Sequence, residues 1–379
     1  MKAYPRQFIT LSLISLALFF IISCTEVTGP VERGISLDEK IGQMLMVGFR
    51  GLDVSENDQI VKDIKLGKIG GVVLYDRDVA LQSDIRNIQS PEQLRALTLS
   101  LQRFAPIPIF IAIDQEGGRV NRLKVKYGFP ATVSNKYLGD LNNPDSTKFY
   151  ADRTAGILNS VGINLNLSPV VDVDVNPNSP AIGAIGRSFS ANPKIVSDNA
   201  AIVINSHNQK NILTSLKHFP GHGSASSDSH LGFTDVTSTW QPIELEPYRN
   251  LISGGYKDFI MTAHIYNANL DPEYPATLSK KIMTGILREQ LNFKGVIISD
   301  DMGMGAITSQ FGLETAVEKS IEAGVDILLF ANNLSYDEQI AEKVITIIKA
   351  MIAKGKINVN RINDSYKRII SLKKNYNLF

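Results

Sequence analysis

The chain has one cysteine, Cys24, so no disulfide can form within it. It has almost no excess charge: 39 Lys and Arg stand against 38 Asp and Glu. No dense basic stripe is present, which removes the electrostatic footprint of a nucleic-acid-binding protein. The apolar run from Phe8 to Ile22 falls short of the roughly 20 residues of a membrane span. Internal repeats and low-complexity segments are absent, and no interior linker marks a second domain. Also missing are a Gly-x-Gly-x-x-Gly turn after an early strand, a Gly-x-Ser-x-Gly elbow and a His-Glu-x-x-His helix. Their absence counts against a dinucleotide-binding fold, a serine hydrolase and a helix-borne metal site.

What is present begins with an export signal. Lys2 and Arg6 precede the apolar run, and Ser23-Cys24 follows it. Residues 1–23 therefore stand outside the fold, and residues 24–34, which lack apolar periodicity, read as a tether.

From residue 35 to residue 379 short apolar runs alternate with segments of helical period. Eight runs read as strands: Gln43–Gly48, Gly71–Tyr75, Pro108–Asp114, Asn164–Asp172, Leu213–His218, Asp258–His264, Gly295–Asp300 and Val325–Phe330. They are continuously apolar, as parallel strands covered on both faces are. Pro91 to Phe104 sets Leu94, Leu97, Leu101 and Phe104 at helical spacing, with proline in the first turn. Ser279 is placed to cap a helix through Ile282, Ile286, Leu287 and Leu291. Glu314 to Ala323, closed by Gly324, and Gln339 to Ala353 complete the pattern. Eight strand–helix units predict an α/β fold, a single (β/α)₈ TIM-type barrel, with a doubly wound open sheet as the competitor.

In such a barrel the active site forms at the C-terminal ends of the strands. Several runs end in reactive groups: Asp114, Asp172, Lys217-His218, His264 and Asp300. Rim hydrogen bonding is the alternative reading for Asp172 and His264. Pro220, Gly221 and Gly223 make Lys217 to His230 a loop rather than a helix, and loops on a rigid scaffold carry function. Within it, Asp228 and His230 are two residues apart. In extended chain they share a face, so the carboxylate can orient the imidazole for proton transfer. His218, His222, Asp228 and His230 are also suitable metal ligands, but the Pro-Gly break keeps the first two off a common helix face. No metal and no cofactor is expected. Asp300 and Asp301 leave their strand on opposite sides, so one carboxylate faces the mouth; Asp300 suits a nucleophile and Asp301 loop hydrogen bonding.

Four motifs then occur in order: Ile113-Asp-Gln-Glu-Gly-Gly-Arg-Val-Asn-Arg122, Gly186-Arg-Ser-Phe189, Lys217-His-Phe-Pro-Gly-His-Gly223 with Asp228-Ser-His230, and Ser299-Asp-Asp-Met302. Together they resemble glycoside hydrolase family 3, in its β-N-acetylhexosaminidase (NagZ-like) branch, from about Ile35 to Lys373. The resemblance implies a retaining exo-β-N-acetylglucosaminidase acting on peptidoglycan fragments or chitooligosaccharides. Asp300 would form a covalent glycosyl intermediate, and His230, oriented by Asp228, would be the acid/base. Asp114, Arg122, Arg187, Lys217 and His218 would hold the sugar. The family's β-glucosidases take their acid from an added C-terminal domain. Here the last helix ends the sequence, so the acid is expected on the Asp228–His230 loop. That loop departs from many relatives after His230, reading Leu231-Gly-Phe-Thr-Asp235.

GlcNAc phosphorylase and β-glucosidase activity stand as alternatives within the family. Outside enzymes, the alternative is a sugar-binding lipoprotein without turnover, against which the presence of Asp300, Asp228 and His230 counts. Ile21-Ile22-Ser23-Cys24 resembles a lipobox, which implies lipidation at Cys24, a membrane anchor and a cell-envelope setting. No nucleic-acid partner is expected, and the protein is read as a monomer.

Overall fold

The computed structural model describes residues 1–3, 34–228 and 232–378. Cys24, the leader and tether, and His230 lie outside the described residues. Among the described residues, no helix is long and apolar enough to cross a membrane.

All eight expected strands are present: β1 (Leu45–Gly48), β2 (Gly71–Leu74), β3 (Phe110–Ile113), β4 (Leu165–Asn166), β5 (Leu213–Phe219), β6 (Phe259–Thr262), β7 (Val296–Ile298) and β8 (Leu328–Phe330). Every pairing between them is parallel, in the order β8-β1-β2-β3-β4-β5-β6-β7. The amides of Asp326 and Ile327 both donate to the Ile297 carbonyl, and Ser299 N–H donates to the Ile327 carbonyl. These bonds, with the parallel pairing of Ile298 and Ile327, close β7 onto the chain entering β8. The open-sheet alternative is thereby excluded.

Each barrel strand is buried along its length, which is why none of them alternates polar with apolar residues. The closure is tight at Gly48, where a Cβ would lie 1.9 Å from the Ala331 carbonyl oxygen. Any side chain there would force β1 and β8 apart.

The helices form where the apolar spacing places them. Helix Pro91–Phe104 buries Leu94, Leu97 and Leu101, and the Ser90 hydroxyl caps it by accepting from Gln93 N–H. Ser279 does cap the helix Lys281–Gln290 by accepting from Ile282 N–H, but that helix is wound as a π-helix. Apolar spacing of three and four residues does not distinguish the two windings. Helix Gly305–Ala323 starts well before the expected Glu314, with a break at Gly312 (φ 66°, ψ 161°). The even pattern resumes only after that glycine. Gly324 ends the helix at φ 118° as expected.

The fourth strand is far shorter than the apolar run Asn164–Asp172. Pro169 has no N–H to give to a ladder, so regular pairing stops at Asn166. The chain stays extended, and Val171 N–H donates to the Lys217 carbonyl at 2.9 Å.

Beneath the barrel, the final helix Val359–Asn375 is tied in by buried polar groups. Asp326 accepts from Arg361, Arg368 and the Ser365 hydroxyl. Lys373, fully buried, donates to Gln43 Oε1 and the Gly70 carbonyl and lies over the Phe110 ring.

Candidate active site

A cavity of about 360 Å³ opens at the C-terminal ends of the strands. Asp114, Arg122, Arg187, Lys217, His218, Asp228 and Asp300 all line it, although they come from separate stretches of chain. Of the expected site residues only His230 and Cys24 lie outside the described residues. A larger crevice of about 660 Å³ lies between helices Pro193–Asn208 and Glu246–Ser253, beside Asp258 at the start of β6. It is remote from the strand ends where the reactive groups collect.

Lys217 is the hub of the polar wall. Its ammonium lies 2.7 Å from Asp114 Oδ1 and 2.6 Å from Glu116 Oε1. Glu116 also takes a two-pronged contact from Arg187, with Nε at 2.8 Å and Nη2 at 2.7 Å. Arg122 reaches Asp114 at 3.5 Å, and its guanidinium lies over the Tyr75 ring. Burial pushes the two carboxyls up, but the neighbouring cations outweigh it. Lys217 and Arg122 hold Asp114 below its ordinary range, and Arg187 and Lys217 hold Glu116 well below its own. Burial likewise lowers Lys217 and Arg187, and their carboxylate partners more than restore them, leaving both raised. These four groups therefore keep fixed charges at neutral pH. They can orient a polyhydroxylated ligand, but they are poor proton carriers.

His218 continues the wall. Its Nδ1 lies 2.7 Å from Asp172 Oδ2, and its Nε2 lies 3.2 Å from Arg187 Nη2. Since guanidinium can only donate, the network assigns the ring proton to Nδ1, donated to Asp172. Asp172 Oδ1 also accepts the amides of His218 and His222. This carboxylate, read from sequence as a rim group or a pocket group, is a buried brace behind the cavity-facing wall. His264 follows the rim reading: its nitrogens meet Thr277 Oγ1 and the Asp301 carbonyl. Among the described residues, no group of three or more His, Cys, Asp or Glu side chains is arranged to hold a metal ion.

Asp300 stands at the end of β7, half-buried at the cavity wall. Its amide donates to Thr262 Oγ1, and its Oδ1 accepts from the Asp301 amide. Asp301 instead turns into the loop, where its Oδ1 accepts from the Gly303 and Ala331 amides at 2.9 Å each. The expected division is only partial: Asp301 makes the expected loop hydrogen bonds, but both adjacent carboxylates line the cavity rather than one. Asp228 reaches the same cavity from the loop after β5.

Glu116 is a site residue that the sequence reading does not single out, although it falls inside the first motif. Charge counting does not reveal it, since Asp114, Asp228 and Asp300 already match Lys217, Arg187 and Arg122 at the pocket; only the three-dimensional pairing does. Tyr75, which forms the cavity wall beneath Arg122, carries no sequence signal beyond its place at a strand end.

Comparison with known proteins agrees with the barrel fold. The sequence profile described as Glycosyl hydrolase family 3 N terminal domain matches residues 36–372. Beta-hexosaminidase A of Pseudoalteromonas piscicida is 34% identical over 330 residues, spanning 80% of this chain and 53% of that protein. A beta-hexosaminidase of Nitrosomonas eutropha is 32% identical over 314 residues, spanning 80% of this chain and 84% of its own length. Among solved structures, a glycoside hydrolase family 3 beta-N-acetylglucosaminidase from a Paenibacillus species superposes with a TM-score of 0.82 at 30% identity. The match covers 90% of this chain and 63% of the Paenibacillus chain. A beta-N-acetylhexosaminidase from Beutenbergia cavernae gives 0.79 at 26% identity, covering 89% and 98% respectively. The chain thus spans about half the length of the Pseudoalteromonas protein and nearly all of the Beutenbergia one.

Proposed function

This chain belongs to glycosyl hydrolase family 3, and we propose from its site that it is a retaining exo-β-N-acetylglucosaminidase. The observation that carries the reading is the meeting of Asp300 and Asp228 in one small cavity where Asp114, Glu116, Arg187 and Lys217 are locked in ion pairs. At about 360 Å³ the cavity sits at the low end of the small-molecule range, which suits a single terminal sugar rather than a long chain segment.

In this mechanism an Asp300 carboxylate oxygen attacks the anomeric carbon. The carbon–oxygen bond to the leaving group breaks, and the departing oxygen takes a proton from the Asp228–His230 pair. Water then attacks the same carbon, returning its proton to the pair and freeing Asp300. Lys217, Arg122, Arg187, Asp114 and His218 hold the hydroxyls and acetamide of the sugar. The general template uses two carboxylates, and here the second role passes to a histidine braced by one.

Hydrolysis of 4-nitrophenyl β-GlcNAc by the purified protein tests this reading, with Asp300→Ala as the comparison. Retention of most of the activity by the variant would remove Asp300 from its role. Run in phosphate, the same assay is expected to yield GlcNAc; GlcNAc-1-phosphate as product would reassign the acceptor.

The protein acts in the cell envelope, held by lipid on Cys24, on peptidoglycan fragments or chitooligosaccharides. Lys2, Arg6, the apolar run to Ile22 and Ser23-Cys24 support this. Expression of the full chain with Cys24→Ser is the test: the variant should leave the membrane fraction while the unaltered chain stays there, and equal partition would refute the anchor.

A further inference from the structure

Glu244 is fully buried, yet it lies outside the cavity and has no place in the chemistry above. It sits on the short 3₁₀ turn Pro242–Leu245, where its Oε1 accepts the Gln241 amide. Its other oxygen, Oε2, faces the chain that leaves β5 and accepts the Ser224 amide at 3.3 Å. Gly221, three residues earlier, packs flat against the same side chain. At its φ of +120° a built Cβ would come within 2.5 Å of Glu244 Cβ. Ala225, next after Ser224, is held from the other side, by Asn176 Nδ2 donating to its carbonyl. Asp228, four residues beyond Ser224, then reaches the cavity.

Burying a carboxyl without an ionic partner is costly, and a neutral side chain could accept a backbone amide just as well. None of the salt bridges among the described residues involves Glu244, and the charge that acts on it is the like-charged Asp172. The group sits at the stem of the segment that presents Asp228. We propose that Glu244 is a positioning residue for acid catalysis, fixing the Gly221–Ser224 stem so that Asp228 is presented at the right depth in the cavity. The inference rests on the acid/base reading of Asp228 given above.

The test exploits the leaving group. The ratio kcat/KM reports the steps through bond cleavage. A sugar alkoxide needs a proton as it departs, whereas 4-nitrophenolate does not. A residue that acts by placing the acid must therefore matter for chitobiose and little for 4-nitrophenyl β-GlcNAc. For Glu244→Leu, which keeps the bulk and removes the acceptor, kcat/KM on chitobiose should fall about 30-fold or more, within the range general acid catalysis supplies. On the nitrophenyl substrate it should stay within about threefold, since acid assistance is not needed there. Glu244→Gln, which keeps an acceptor for Ser224, should restore chitobiose activity to within about threefold of the unaltered enzyme. Should E244L fail to fold, Gly221→Ala carries the same test from the other side of the contact, with the same expected split. Equal losses on both substrates, or none on either, overturn the proposal. Asp228→Ala is the control: if it shows no leaving-group dependence, the acid/base reading itself fails, and the role of Glu244 with it.

Discussion

Lys217 and Glu116 form an ion pair of 2.6 Å in which each side chain is only 2% exposed. Such a pair is held by geometry on both sides: Asp114 completes the lysine, and Arg187 completes the glutamate. Removing one member leaves cations buried without sufficient countercharge, at a cost of about 3–5 kcal/mol. Glu116→Ala is therefore expected to lose stability of that order in urea unfolding, and to lose sugar binding as well. An unchanged unfolding midpoint would show that the network contributes little to the fold.

Arg187 contacts Glu116 through two nitrogens, and the same fork reaches the Ala181 carbonyl and His218. Lysine keeps the charge but offers only a point donor. Arg187→Lys should raise KM for 4-nitrophenyl β-GlcNAc by about tenfold, the effect of about 1.4 kcal/mol of lost binding. A KM within about twofold of the original, far short of that loss, would mean that charge alone suffices at this position.

Lys373 gives a pH signature of a different kind. Burial lowers its amine to about 7 in the folded chain, against an ordinary value of 10.5. Between those values the unfolded chain binds the proton and the folded chain does not, so this group makes stability rise with pH. Below about pH 7 both states hold the proton, and its contribution no longer changes. The slope it adds approaches about 1.4 kcal/mol per pH unit. Unfolding free energies measured at about pH 7.5 and about pH 9, both inside that window, should differ in slope between the original and Lys373→Met, the variant being the flatter. Parallel lines would show that the amine stays protonated beneath the barrel.

Most of the frame was legible because barrel strands advertise themselves. Runs such as Phe110–Ile113 and Val296–Ile298 are apolar throughout. Asp114 ends the first run directly, and Asp300 ends the second after the small polar Ser299. Burial on both faces leaves no other place for those charges than the rim. What the sequence could not convey was three-dimensional pairing. The partners Glu116 and Arg187 are 71 positions apart, and Asp172 and His218 are 46 apart. Nothing local in either member records the other. The short fourth strand and the π winding of Lys281–Gln290 were also beyond reach, since apolar spacing reports burial and not hydrogen-bond register.

The proposed chemistry turns on Asp300 forming a bond to the sugar. Incubation with a fluorinated GlcNAc donor that carries a good leaving group, and whose second step is slow, should trap that species. Intact mass should rise by one glycosyl unit, proteolysis should place the addition on the peptide containing Asp300, and Asp300→Ala should show none. A label on another residue, or release of the leaving group by the unaltered enzyme with no adduct at any time, would contradict this mechanism.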